Sequence, residues 1–387
     1  MDHQFIVFDN KIVKMINTLF LLVLCLVTNT SHRVDGIQTT PKEELELEKQ
    51  LKLINKDPIT SIHTKFGYIV DCIDIDKQAA FDHPLLKNHK LQKEKTSAKI
   101  SPTDKITCPT RTVPIRRTTK DDLIRAKSLW NNNILANNAR FAPIAEVSLF
   151  KHPSLHYYGV SGTTSIYNPK CSIAQASSTH IFIQNGEGDG TNIIYVGWQV
   201  FPHVYGDDKT HLYLAWTSDN FKKTGCYDMQ YQGFVQTGDH HHVGEVIQNI
   251  SVYGGPMVEM LDQELKTNNW VVTIDDKPLG YFPAALFSNL KSAGQGGWGG
   301  GTIAIGAPSP QMGSGLLPDE DFNHSGYFRN VAYKNESGSS TTYGPEKELI
   351  EEFNDAPKCY GVDYYEKQKD PFRYCLQFGG PGGNCAP

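Results

Sequence analysis

Amide hydrolysis by carboxyl groups needs two of them across a cleft, one ionised to activate water and one protonated to hold the oxyanion. Strands can supply such groups singly, because residues two apart point to the same face. Few acids in this 387-residue chain stand where that would work. Glu187 lies in Asn185-Gly186-Glu187-Gly188-Asp189-Gly190, which reads as a glycine-rich hairpin tip, far from any cleft floor. Glu245 and Glu259 lie in alternating segments that could turn inward, and nothing marks them as a pair. Asp207-Asp208 belongs to the turn Tyr205-Gly206-Asp207-Asp208-Lys209-Thr210. The triple His240-His241-His242 invites a metal, but neighbours on a strand point to opposite faces and do not converge on one ion, so a loop tract is the better reading. The glycines of 294–301 lack the strand, helix and Lys-Ser/Thr of a phosphate loop. Gln311-Met312-Gly313-Ser314-Gly315 does not have the spacing of a nucleophile elbow. No Cys or Cys/His spacing suggests zinc, and neither metal nor other cofactor is expected.

The elements that would position any such group are mostly strands. After residue 150 the chain becomes short alternating runs bounded by Gly, Pro, Asn or Asp, among them Ile193 to Val200, His211 to Trp216 and Val271 to Ile274. Such spacing predicts a sandwich or barrel. Composition agrees: Gly and Pro contribute 33 and 21 residues, and Tyr and Phe 18 each. Two helices precede this region. Thr40 to Asn55 opens with Thr40 as N-cap, Pro41 at the first helical position and Glu43 closing a capping box, with Leu47, Leu51 and Ile54 on one face. A second helix is capped by Thr119, has Asp122 three residues on and runs to about Trp130. The asparagine-rich stretch from 131 to 150 reads as the boundary between the two regions.

A net charge of −5 argues against general attraction to nucleic acid or anionic lipid. The apolar run Leu19 to Val27, preceded by Lys11 and Lys14, is too short for a membrane span and suits a signal-peptide core, with Met1 or Met15 as start. Export permits disulfides. Without Cys25, seven cysteines remain, so one thiol is unpaired or joins another chain. Sequons at Asn249, Asn323 and Asn335 fit an exported, glycosylated surface.

Two phrases carry a sharper signal. One is Asn192-Ile193-Ile194-Tyr195-Val196-Gly197-Trp198 and the other Gly296-Gly297-Trp298-Gly299-Gly300-Gly301. Together with Thr224-Gly225-Cys226-Tyr227, Gly280-Tyr281-Phe282-Pro283, the run at 311–315 and Phe378-Gly379-Gly380-Pro381-Gly382, they resemble the neprosin family of plant secreted glutamic endopeptidases. Upstream, Ala79-Ala80-Phe81-Asp82-His83-Pro84-Leu85-Leu86 and Val113-Pro114-Ile115-Arg116-Arg117-Thr118 resemble that family's activation peptide. The resemblance implies two stacked antiparallel sheets and cleavage after proline at acidic pH. It places the family's catalytic glutamates at Tyr195 and at Gly297 or Gly301. Glycine supplies only backbone groups, and a tyrosine with an ordinary pKa near ~10 is a poor base in acid. The family's cysteine positions imply Cys72–Cys108 and Cys359–Cys385. Tyr231 stands where the family has a local partner for Cys226, so Cys171–Cys226 is a further candidate, with Cys375 as the odd thiol.

The expected protein is therefore all-β: a C-terminal sandwich of two antiparallel sheets at 150–387, behind a signal peptide at 1–34 and a small, partly helical activation-peptide-like unit at 35–140. The expected location is extracellular, in the apoplast, with the vacuole as the alternative. The hydrolase activity of the family is expected to be lost or reduced, and whether the chain is an enzyme stays open. No membrane association is expected after signal removal. Tyr195 is expected to face the Trp298 loop across a cleft in which Tyr195, Trp198 and Trp298 stack an extended, proline-containing peptide. The alternatives are an active peptidase using substitute carboxylates and a module binding cell-wall polysaccharide.

Overall fold

The computed structural model describes residues 40–91, 106–131, 143–222, 224–252, 259–260, 263–264, 269–336 and 341–385. The apolar run at 19–27 and the boundaries expected at 34 and 140 lie outside them. Helix α1, Pro41–Ile54, is stopped at its front by the expected box: Glu43 N donates to Thr40 Oγ1, and Thr40 N donates to the Glu43 carboxylate at 3.0 Å. Helix α2, Lys120–Asn131, is capped the same way by Thr119 and Asp122. Between them, β1 (Thr60–His63), β2 (Ile69–Asp74) and β3 (Thr112–Arg116) form a small antiparallel sheet in that order. The Cys72–Cys108 disulfide, with Cα atoms 5.5 Å apart, ties its middle strand to the chain entering β3.

The rest of the chain is β4 (Ile144–Leu149), β5 (Gly159–Ser165), β6 (Gln175–Asn185), β7 (Asn192–Val200), helix α3 (Pro202–Tyr205), β8 (Thr210–Thr217), β9 (Cys226–Tyr227), β10 (Val235–Gln236), β11 (Glu259–Met260), β12 (Gln263–Glu264), β13 (Trp270–Ile274), β14 (Lys277–Phe282), β15 (Gln295–Ala304), β16 (Gly326–Lys334), β17 (Ile350–Asn354), β18 (Gly361–Lys367) and β19 (Tyr374–Gly379). Seven strands form one antiparallel sheet in the order β17-β4-β15-β6-β7-β8-β9. A five-stranded sheet, β11-β5-β16-β19-β18, packs on it, and a third sheet, β10-β14-β13-β12, extends that second layer over β8. The sandwich thus begins at Ile144 rather than 150. Its first strand lies in the stretch that polar, breaker-rich composition marks as a boundary, and it is paired on both edges.

Strand parity decides which residues make the core. Val147, Ile181, Ile194, Val196, Trp198, Leu214 and Trp298 face the second layer and meet Val160, Phe328, Leu376 and Phe378. Cys359–Cys385, with Cα atoms 5.6 Å apart, secures the C-terminal end. Cys171 and Cys375 are both free thiols, so the Cys171–Cys226 candidate is not formed. The N-terminal unit is docked rather than tethered. Leu86 is 1 % exposed inside the main core, His83 lies edge-on to Trp216 and Tyr231, and Gln78 and Gln236 exchange hydrogen bonds of 2.8 and 2.9 Å. Tyr231, the position that departs from the family's cysteine, thus serves as an aromatic wall for the docked unit.

Candidate functional site

The outer face of the seven-stranded sheet carries the polar side chains. One row across it reads Glu146, Gly299, His180, Gly197, Tyr213. Gly299 has no side chain, so Glu146 and His180 meet over it, with His180 Nε2 2.9 Å from Glu146 Oε1. A Cβ at Gly299 would stand 2.4 Å from the Ala145 carbonyl oxygen and 2.8 Å from Glu146 Cγ. The neighbouring rows read Ser148, Gly297, Phe182, Tyr195, Ala215, Tyr227 and Ile144, Gly301, Ser178, Gln199, His211. Large side chains alternating with glycine, alanine and serine leave a hollow. Glu146, Ser178, His180, Tyr195, Tyr213 and Tyr227 line it together with Gly301.

Both family motifs therefore reach this hollow, through Tyr195 and Gly301. Gly297 does not: a Cβ there would meet the Val147 oxygen at 2.5 Å and the Phe182 ring at 2.8 Å, whereas the nearest atoms at Gly301 are 3.6 Å away. Tyr195 does not face the second motif across a cleft. Gly296–Gly301 is the middle of β15 rather than a loop, and β6 separates it from Tyr195 within one sheet. Trp198 and Trp298 are not cleft residues either. Each stands at an odd offset from its motif's outward positions, so each points into the core, where its indole N–H donates to the oxygen of Ser165 or Ser161. Burial, with smaller pushes from Glu146 and Tyr227, holds the Tyr195 hydroxyl well above its ordinary pKa; it is a neutral hydrogen-bond donor and acceptor, not a base.

The acids weighed from sequence lie elsewhere. Glu187 is on an exposed turn beside Lys151. Asp207 accepts from His211 Nε2 at 2.8 Å. Glu259 is on β11, at the edge of the other sheet. Glu245 takes His241 Nδ1 at 2.5 Å, with His242 beside it, while His240 turns to Asp239, so the three histidines do not converge. Among the described residues no group of His, Cys, Asp and Glu could hold a metal ion. Glu146 and His180 were missed. For Glu146 the signal was present, since Ile144-Ala145-Glu146-Val147-Ser148-Leu149 puts its polar residues on one face of a strand; Ser178-Thr179-His180-Ile181-Phe182-Ile183 does not alternate and gave none for His180.

A second polar cluster occupies the seam with the N-terminal unit. The Arg116 guanidinium lies 4.9 Å from the ring centre of Tyr68 and 5.2 Å from that of Tyr205, which stacks on His211 at 3.8 Å. Tyr205 donates to Asp228 Oδ2 at 2.8 Å. Burial pushes Asp228 up to about 7 and His242 down to about 4. Burial also lowers His241, but hydrogen bonds to Asp275 and Glu245 outweigh it and lift this ring to about 9.

The sequon asparagines 249, 323 and 335 are all exposed. The family model described as Neprosin matches residues 174–381, and the one described as Neprosin activation peptide matches residues 61–159. The second match runs past the docked unit and includes β4 with Glu146. Among solved structures, the crystal structure of scytalido-glutamic peptidase with a transition state analog inhibitor is similar at a TM-score of 0.34 and 9 % identity, over 62 % of this chain and 98 % of that one.

Proposed function

Because this chain belongs to the neprosin family, we propose that its cleft binds extended, proline-containing polypeptide without cleaving it by paired-carboxylate chemistry. The observation that carries this reading is the population of the hollow. Of the residues lining it, Glu146 is the one carboxylate, and its Oε1 is engaged by His180. Tyr195 and Gly301 occupy the two motif positions, and neither can be a general base. Rows of glycine, serine and alanine on the outer face leave room for a peptide backbone over the sheet. Two disulfides and three exposed sequon asparagines support a secreted, glycosylated protein.

The test is incubation of the purified full chain with a proline-rich peptide at acidic pH, read by mass spectrometry, with binding measured in parallel by calorimetry. Binding without cleavage is expected. The double variant Tyr195→Glu with Gly301→Glu should gain cleavage after proline, because general-base catalysis is worth about 10²- to 10⁴-fold. Robust proline-directed cleavage by the unmodified chain would overturn the reading.

A further inference from the structure

The hollow has a feature that backbone binding leaves unexplained: its polar ends gather around one negative charge. The charge of Glu146 is felt at the hydroxyls of Tyr195 and Tyr213, and the three tyrosine hydroxyls are close enough to influence one another. Glu146, Tyr195, Tyr213 and Tyr227 are 6 %, 6 %, 4 % and 7 % exposed. Among the described residues, the hydroxyls of Tyr195 and Tyr227 have no hydrogen-bond partner, although both border the hollow. No Lys or Arg is among its lining residues.

His180 engages Glu146 through Nε2 at Oε1, while its Nδ1 is buried with no partner. Apart from this ring, nothing lining the hollow can offset the carboxylate's charge. A buried carboxylate favours a counter-charge that also satisfies its neighbours' lone pairs. An ammonium does both, since it carries three donors on a compact charge at the end of a flexible apolar stem. An anion is repelled by Glu146. A neutral hydroxylated ligand would meet the tyrosines and leave the charge uncompensated.

We propose that this hollow takes the ammonium of a lysine side chain from the peptide in the cleft, with Glu146 as counter-ion and the hydroxyls of Tyr195, Tyr213 and Tyr227 as acceptors around it. The lysine stem would lie along Ala176 and Ile303, which also line the hollow. The proposal rests on the peptide-binding reading for its ligand, but the pocket's charge preference can be measured without a peptide.

The experiment has two arms, both on the full chain. In the first, calorimetry compares an extended peptide carrying one central lysine with its norleucine twin, which has the same stem and no charge. The lysine peptide should bind about tenfold more tightly, and Glu146→Gln should bring it to the level of the norleucine peptide. Tyr195→Phe should weaken the lysine peptide about threefold. In the second arm, N-acetyl-lysine methylamide and N-acetyl-norleucine methylamide are titrated by ligand-observed NMR, with a neutral cell-wall oligosaccharide alongside. If the peptides fail to bind but the lysine amide binds in a manner lost in Glu146→Gln, the cation pocket stands and the peptide reading falls. Equal binding of lysine and norleucine in both arms, a lysine preference surviving in Glu146→Gln, or an oligosaccharide held equally by parent and variant would overturn the proposal.

Discussion

The cleft and the seam hold opposite inventories of charge. On the outer face of the seven-stranded sheet, where both family motifs converge, one carboxylate remains among tyrosines, glycines and serines. At the seam between the N-terminal unit and the sandwich, Arg116, Asp228, His211, His241, His242 and Glu245 crowd together, several of them fully buried. A hydrolase would be expected to concentrate shifted acids and bases in its cleft. Here the shifted carboxyl and imidazoles, Asp228, His241 and His242, lie at the seam, and the shifted groups of the hollow are tyrosine hydroxyls. Perturbed protonation is thus not by itself a pointer to catalysis, and the motif positions together with their geometry must decide where the chemistry would be.

Several measurements sharpen that contrast, beginning with the largest effect. Leu86→Ala removes the anchor that the N-terminal unit sets in the main core, 1 % exposed, and should cost about 3 kcal/mol in urea unfolding. If the unit is as integral as its packing indicates, the loss should appear as a shift of a single transition. An unshifted main transition with an early separate one would mean that the seam is weaker than its inventory implies. Gly299→Ala comes next. A methyl 2.4 Å from the Ala145 oxygen forces β4 and β15 apart, at about 2 kcal/mol, and the displaced Glu146 should weaken lysine-peptide binding as well.

The seam's own test is pH. Asp228 has a folded pKa of about 7, above the roughly 3.9 of an unfolded chain. Its stabilising contribution is therefore fully present below about 4 and is lost as pH rises through 7. Asp228→Asn should leave thermal unfolding at pH 4 near the parent's and should stabilise the protein at pH 8 by on the order of 1–2 kcal/mol. His242, held down at about 4, has the opposite sign: its contribution is present above about 6.5 and is lost as pH falls through 4. An Asp228→Asn difference that does not grow with pH would show that the carboxyl is not held protonated by burial. The smallest effect belongs to Gly301→Ala. Its nearest neighbours are 3.6 Å away, so stability should change by less than about 0.5 kcal/mol, against the clear loss at Gly299 two residues earlier.

Much of this architecture was legible from residue order. The capping boxes at Thr40 and Thr119, the helices they open and the strands of the second half are local patterns, set by hydrogen bonds and alternation within a few residues. Cys72–Cys108 and Cys359–Cys385 were legible through the family's cysteine positions. The family motifs misled where facing mattered. Trp198 and Trp298 lie inside the motifs, yet strand parity turns them into the core.

What only the tertiary structure decided is which residues share a space. Glu146 and His180 are 34 positions apart, on strands separated by β15, which comes from the other end of the domain. Their meeting depends on Gly299 between them having no side chain, and no pattern within β4 or β6 specifies what the intervening strand will be. The choice between Gly297 and Gly301 is of the same kind. Both are glycines on the outer face of one strand, and the Val147 oxygen and the Phe182 ring crowd the first while the second stays open to the hollow. Sequence fixes the identity and local facing of a side chain through short-range sterics and hydrogen bonding. The register of strands joined by long connections is what brings particular side chains into one site.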